Sequence, residues 1–307
     1  MHCADRPTFA HRRLRRACAQ AGSAIVLALI TVLLAASVAS SIILSVSRGI
    51  DAATGLQDQA QARELARGAT DWARNVLADD ARRTQVDHLH ETWAIKIPPT
   101  PVDQAEVAGE IREYSGRFNI NNLAPGTVAN PLALQQFARL LEAVGEVSAG
   151  EAETLAARVQ NEIAVPSGGL APRGPLVDPG ELLDIDGFDA ELLDRLRPYV
   201  AALPAPSRLN VNTASAEVLH AIIDQLSLAA ARVLVAERER AWYRSIADFE
   251  SRLPSGARLD NHDGIDVRSR FFAVVWRARA GVAMVSMTVM LDRSQGNWAS
   301  ILWQKIE

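Results

Sequence analysis

The sequence predicts an α+β protein with one long N-terminal helix that crosses a membrane, helical units in the middle and an antiparallel sheet at the C-terminus. Three observations carry this. Residues 17–47 contain no charged side chain and are closed off by Arg16 and Arg48. The block RFNINNL at 117–123 reappears as RLNVNTA at 208–214, each copy feeding a helical segment. The last stretch of the chain breaks into three strand-like runs separated by turn residues.

The apolar run counted from Ser23 reaches Ser47. As a helix rising ~1.5 Å per residue it spans about 37 Å, enough to cross a hydrocarbon core of about 30 Å with some tilt. Arg6, Arg12, Arg13, Arg15 and Arg16 against Asp5 give residues 1–22 a net charge of +4. Short basic flanks stay on the cytoplasmic side, which puts the remaining chain across the membrane. A cleaved secretory signal is the main alternative, since Ser37 and Ala39 are small enough for a cut before Ser40. Its apolar run, however, is normally about 7–15 residues long, and this one continues past that point. Cys18 follows Arg15, Arg16 and Ala17 rather than an apolar segment, which argues against lipid modification.

The overall formal charge of −4 leaves −8 on the exported part once the basic leader is set aside. Such a surface repels phosphate backbones, so nucleic acid is not an expected partner. Both cysteines, Cys3 and Cys18, precede the exported part, which must fold without disulfides.

Beyond Arg48 the helical periodicity continues through Ile50, Leu56, Ala60, Leu65, Ala69, Trp72, Ala73, Val76 and Leu77, with no proline before Pro98. One helix can therefore run to about Arg83, its apolar stripe covered by later strands. Residues 88–101 read as a strand followed by an exposed turn at Pro98, Pro99 and Pro101. His88, His90 and Glu91 lie close together, but two histidines two apart lack a third ligand at a defined spacing. From Glu110, EIREYSGRFNINNL alternates on either side of Ser115-Gly116 and reads as a hairpin. A helical stretch from Pro131 to about Ala164 is divided at 145–150, and further short helices begin at Asp178 and Asp189.

In the repeated block the apolar residue between the asparagines anchors a short strand, and Asn or Thr at its end is placed to cap the next helix. Residues 216–225 and 229–242 then form a helix pair. NVNTASAEVL with such a pair resembles helix-hairpin-helix modules of DNA-binding proteins, including competence DNA receptors. Those modules use a Gly-apolar-Gly turn, whereas the turn here is DQLSL at 224–228. Packing against protein is the expected role.

The three terminal runs cover residues 271–279, 282–291 and 298–306. Phe272, Val274, Trp276 and Ala278 share one face of the first, with Arg277 and Arg279 on the other, as in an antiparallel sheet with one covered face. No nucleophile elbow, HExxH helix, P-loop or cysteine-based site occurs, consistent with a non-enzymatic role.

The leader ending in Gln20-Ala21-Gly22, the segment SAIVLALI, the run TDWARNVLADDAR, the GRFNINNL and NVNTA blocks and the terminal strands together resemble the type II secretion minor pseudopilin K family (general secretion pathway protein K). The resemblance implies a pseudopilin fold with a large helical domain inserted between strands. It also implies a prepilin peptidase cut between Gly22 and Ser23 with methylation of the new terminus. The corresponding division is a leader at 1–22, a transmembrane helix at 23–47, and a helix extension with first strands at 48–122. Helical units follow at 123–206 and 207–268, then terminal strands at 269–307.

The implied function is a minor pseudopilin at the tip of the secretion pseudopilus, held in the inner membrane with its C-terminal domain in the periplasm. It would initiate fibre assembly and support export of folded proteins. The implied partners are minor pseudopilins I and J, with H as a further candidate, the major pseudopilin, the inner-membrane assembly platform and prepilin peptidase. Ordinary pilins and pseudopilins carry glutamate fifth after the cut, where this chain has Leu27. Without that carboxylate the subunit offers nothing to the amine of a neighbour preceding it, which suits a tip position. Ser23 departs from the bulkier apolar residue common after the cut. Many members bind calcium in a longer acidic loop, which here is reduced to QNEIAVPSGGLAPRG. Asp184, Asp186 and Asp189 are the remaining calcium candidates, containing Asp-x-Asp-Gly without the full spacing. No other cofactor is expected. A type IV pilus minor pilin and a membrane-tethered DNA receptor are the alternatives.

Overall fold

The computed structural model describes residues 12–164, 174–259, 261–294 and 298–307, with side chains from Ser23 onward. The first helix, Arg12–Arg83 (α1), runs through the division between two compact units, one ending at Ala60 and the other beginning at Gln61.

In the first unit the α1 side chains from Ser23 are exposed almost throughout, including Ile25, Leu27, Leu33 and Ile43. By length and composition the helix is able to cross a membrane. Its hydroxyls do not break the apolar character. Thr31, Ser37, Ser41 and Ser45 each donate to the carbonyl three residues back at 2.8 Å, which satisfies these donors within the helix.

The second unit begins with the remainder of α1, where Ala62, Ala66, Ala73 and Leu77 are fully buried at four- and seven-residue intervals, on one face of the helix. Arg82 and Arg83 lie in the last turn, where positive charge complements the helix dipole. After a 3₁₀ turn at Thr92–Ala94, strand Ile97–Val102 (β1) pairs antiparallel with Ala105–Glu113 (β2), through a turn with Asp103 in the left-handed region. The expected strand thus lies in the proline segment, not before it. β1 is an edge strand whose register slips between Ile97 and Thr100, and an edge or bulge is where proline's missing N–H is tolerated.

The hairpin expected around Ser115-Gly116 does not form. Strand Phe118–Asn119 (β3) turns away from β2 and pairs in parallel with Val200–Ala201 (β4). Ser115 is a junction instead: its hydroxyl accepts from the N–H groups of Arg270 and Phe271, and its carbonyl accepts from Asn210. Between β3 and β4 lie Pro131–Gly145 (α2), Ala149–Ala164 (α3) and Ala190–Leu196 (α4). Strand Leu209–Asn210 (β5) leads to Ala216–Ile222 (α5), Leu228–Arg238 (α6) and Ile246–Ser251 (α7), and pairs in parallel with Ile265–Asp266 (β6). One hydrophobic core joins both groups of helices, with Phe137, Leu140, Leu219, Tyr243 and Phe249 at its centre.

The chain then returns beside β2 as Phe271–Ala280 (β7), continuing into Ala283–Asp292 (β8) and Ser300–Ile306 (β9). The sheet order is β1-β2-β7-β8-β9, antiparallel throughout, so the helical segment is an insertion between adjacent strands β2 and β7. The face carrying Phe272, Val274, Trp276 and Ala278 packs on Ala62, Ala66, Ala73 and Leu77 of α1. The opposite face is also partly covered: Phe271, Ala273 and Met290 pack on Ala201 and Leu203 of the insertion.

Candidate functional site: an anchored domain with an open sheet edge

The two asparagine blocks form the same corner twice. Asn119 Oδ1 accepts from the N–H of Asn121, and Asn210 Oδ1 accepts from the N–H of Asn212. The second asparagine of each block then grips a distant backbone. Asn121 donates to the carbonyls of Leu176 and Leu203 and accepts from the N–H of Leu176. Asn212 donates to the carbonyl of Tyr243 and accepts from its N–H. The expected capping falls elsewhere, because Asn130 and Ser215 cap α2 and α5 while the block asparagines are used within the corners.

Where the insertion meets the sheet and α1 there is a buried ionic cluster. Arg293, following β8, donates to both carboxylate oxygens of Asp87 at 2.5 Å, to Asp80 at 3.2 Å and to the carbonyl of Ser269 at 2.9 Å. Its guanidinium lies 4.8 Å from the Phe272 ring centroid. Asp87 also accepts from the N–H of Ser269 and, through its carbonyl, from Asn210. Asp80 is pushed up to about 7, chiefly by burial and then by Glu91 and Asp87, with Arg293 opposing. Asp80, Asp87 and Glu91 bring carboxylate oxygens within 4.8 Å of one another. The cation among them is Arg293, and Glu91 is engaged by the Trp93 indole at 2.7 Å and the His88 N–H at 3.0 Å.

The histidines considered as ligands turn to different partners. His88 stacks on Trp242 at 4.0 Å, and His90 meets Glu239 at 3.3 Å. The acidic calcium candidates do not converge among the described residues. Asp184 and Asp186 are exposed, the Asp186 carbonyl accepts from Arg158, and the Asp189 carboxylate accepts from Leu192 as the cap of α4. Most of the shortened loop, 165–173, lies outside the described residues. Gly22 and Ser23 lie within α1, and Leu27 is 61% exposed.

Sequence reasoning missed the Arg293 cluster, since Arg293 sits in an apparent turn and its carboxylate partners lie more than 200 positions away. It also missed the asymmetry of the sheet edges. β1 is blocked by three prolines, whereas β9 reads SILWQKI and is exposed along its whole length, with Ile301, Leu302, Trp303 and Ile306 open to solvent. An apolar edge without proline is a pairing surface.

A helix with a charge-free span, an antiparallel sheet laid on its later turns and a free apolar edge define a membrane-anchored subunit of the pilin type. Comparison with known proteins narrows this. The family described as "Type II secretion system (T2SS), protein K" matches residues 116–205 and 209–268. The type II secretion system protein K of Klebsiella pneumoniae is 30% identical over 258 residues, covering 76% of this chain and 79% of the relative. That of Pseudomonas aeruginosa is 29% identical over 299 residues, covering 90% of each. The fold matches a chain in the crystal structure of the GspK-GspI-GspJ complex from enterotoxigenic Escherichia coli, with a TM-score of 0.69 and 24% identity, covering 82% of this chain and 97% of that one. The chain belongs to the type II secretion system protein K family and is a minor pseudopilin of that system. The family is a class of secretion pseudopilins rather than of enzymes, and type II secretion takes the place of the type IV pilus alternative.

Proposed function

We propose that this chain caps the secretion pseudopilus, with α1 anchored in the inner membrane and the second unit in the periplasm, after removal of residues 1–22 between Gly22 and Ser23. The observation that carries the tip position is Leu27, an exposed apolar side chain on α1 at the place where a glutamate would answer the amine of a preceding subunit. A subunit without it receives nothing above and exposes only its lower contacts. The free β9 edge and the exposed α1 span are the surfaces for those contacts. The structurally similar chain is solved in complex with GspI and GspJ, which supports the corresponding minor pseudopilins as partners here. The mature protein would initiate assembly and support export of folded proteins. Calcium at Asp184, Asp186 and Asp189 remains a proposal, weighed against Asp189 being used as a helix cap.

The testing experiment is the N-terminal mass of the protein recovered from membranes of cells that contain prepilin peptidase. A start at Ser23, with or without a methyl group, is expected. A start near Ser40 would make the apolar run a discarded signal, and an intact Met1 would leave a tethered domain outside the fibre.

A further inference from the structure

A cleft of about 460 Å³ lies between the sheet and the insertion, on the face away from α1. Arg112, Met290 and Trp303 line it on one face of the sheet, in a row whose register runs from Arg112 through Ala273 and Met290 to Trp303, with Ala273 itself buried beneath Ala201 and Leu203. Directly opposed residues point to the same face, and strands are spaced about 4.8 Å apart, so the row is about 14 Å long. That is the length of about four residues of extended chain, and too long for a single small anion. Trp303 closes the row at the free edge of β9, 37% exposed. The far wall comes from the insertion, where Val177 is 70% exposed on the rim.

The cleft is cationic on a chain that is acidic overall. Arg117 lies with its guanidinium 4.5 Å from the centre of the Tyr114 ring and donates one hydrogen bond to the Arg197 carbonyl at 3.3 Å. Among the described residues it has no carboxylate partner, so a planar cation with further donors is held by stacking and left open. Arg197 meets Asp194 only at 3.7 Å, with both side chains largely exposed. The one carboxylate lining the cleft, Asp178, is engaged by the Gly180 N–H at 2.7 Å as the cap of its 3₁₀ turn.

We propose that this cleft receives an extended acidic segment of a partner protein, which enters across Trp303. A carboxylate of the segment pairs with Arg117 and Arg197, and an aliphatic neighbour lies on Tyr114, Met290 and Trp303. Apolar Tyr114, Met290 and Trp303 beside the cationic Arg117 and Arg197 match a segment in which aliphatic and acidic residues alternate, Arg112 being already paired with Glu110.

The test uses the full chain in detergent micelles and a fluorescein-labelled Val-Glu-Ile-Asp-Val peptide, followed by anisotropy, with Val-Gln-Ile-Asn-Val as its uncharged counterpart. Saturable binding of the acidic peptide is expected, with the amide peptide weaker by about tenfold or more, the scale of one charge-assisted hydrogen bond. Arg117→Gln and the more exposed Arg197→Gln should each weaken the acidic peptide to a similar degree. Arg279→Gln, on the same sheet face but outside the cleft, should leave it unchanged. Circular dichroism checks that each variant is folded. Absence of binding, equal affinity for the two peptides, or an equal loss in Arg279→Gln would overturn the proposal. So would competition between the peptide and a second copy of the chain, which would make self-association the occupant. The measurement does not involve cleavage at Gly22 or fibre formation, so it fails or succeeds independently of the tip assignment.

Discussion

Asn121 and Asn212 each replace a missing backbone partner with a side chain that both donates and accepts, joining segments 55 and 31 positions away. Alanine at either position orphans buried N–H and C=O groups, and a loss of about 1–3 kcal/mol each is expected in urea unfolding. The two corners share no partners, so the double variant should show the sum. Arg293→Ala leaves the Asp87 carboxylate buried without its cation and should cost about 3–5 kcal/mol in the same assay. Asp80 titrates at about 7 in the fold against an ordinary 3.8. A raised acid favours the fold while protonated in the native state, so its contribution is full below about pH 4 and is lost as pH rises to about 7. Asp80→Asn removes this dependence. Its melting temperature relative to the parent should therefore move upward between pH 4 and pH 8, and a flat difference would show that Asp80 does not titrate in that window.

Among the elements, the central strands tolerate least. Gly109 lies opposite Trp276, and a Cβ there would meet the indole at 2.0 Å and the Val275 carbonyl at 2.4 Å. Gly109→Val is expected to destabilise by about 1–3 kcal/mol through overpacking, read as a lowered unfolding midpoint. β9 behaves in the opposite way because nothing covers it. Leu302→Lys and Ile306→Lys should change stability by no more than about 0.5 kcal/mol. If β9 serves partner subunits as proposed, the same variants should lose co-purification with the other minor pseudopilins while the fold is retained. The sheet itself was legible, since the alternation of Phe272, Val274, Trp276 and Ala278 gave β7 its buried face and α1 its role as cover. The proline strand and the false hairpin were not. Both depend on which strand lies next to which: proline is acceptable in β1 only because β1 is at the edge, and the alternation after Gly116 serves β4, 82 positions away, rather than β2.

At the scale of the whole molecule, the anchor and the folded unit place different demands on one helix. Leu27→Glu would put a carboxylate into the span, at about 2.5–3.5 kcal/mol on insertion scales unless a neighbouring amine pairs with it. Less membrane-extractable protein is expected for this variant expressed alone. Recovery upon co-expression of the other minor pseudopilins would show that a neighbour can sit above this subunit, against the tip assignment. The sequence by itself determined the charge-free span, the continuation of its helix to Arg83, the repeated asparagine blocks and the order of the terminal strands. Each is a local periodicity or composition that neighbours along the chain are enough to specify. Only the tertiary structure decided that Arg293 closes on Asp80 and Asp87, that β3 leaves the sheet to begin an insertion, and that β9 is left open beside a cationic cleft. These features are made by residues far apart in the chain, and burial, pairing and exposure at such places are properties of what the fold brings alongside them.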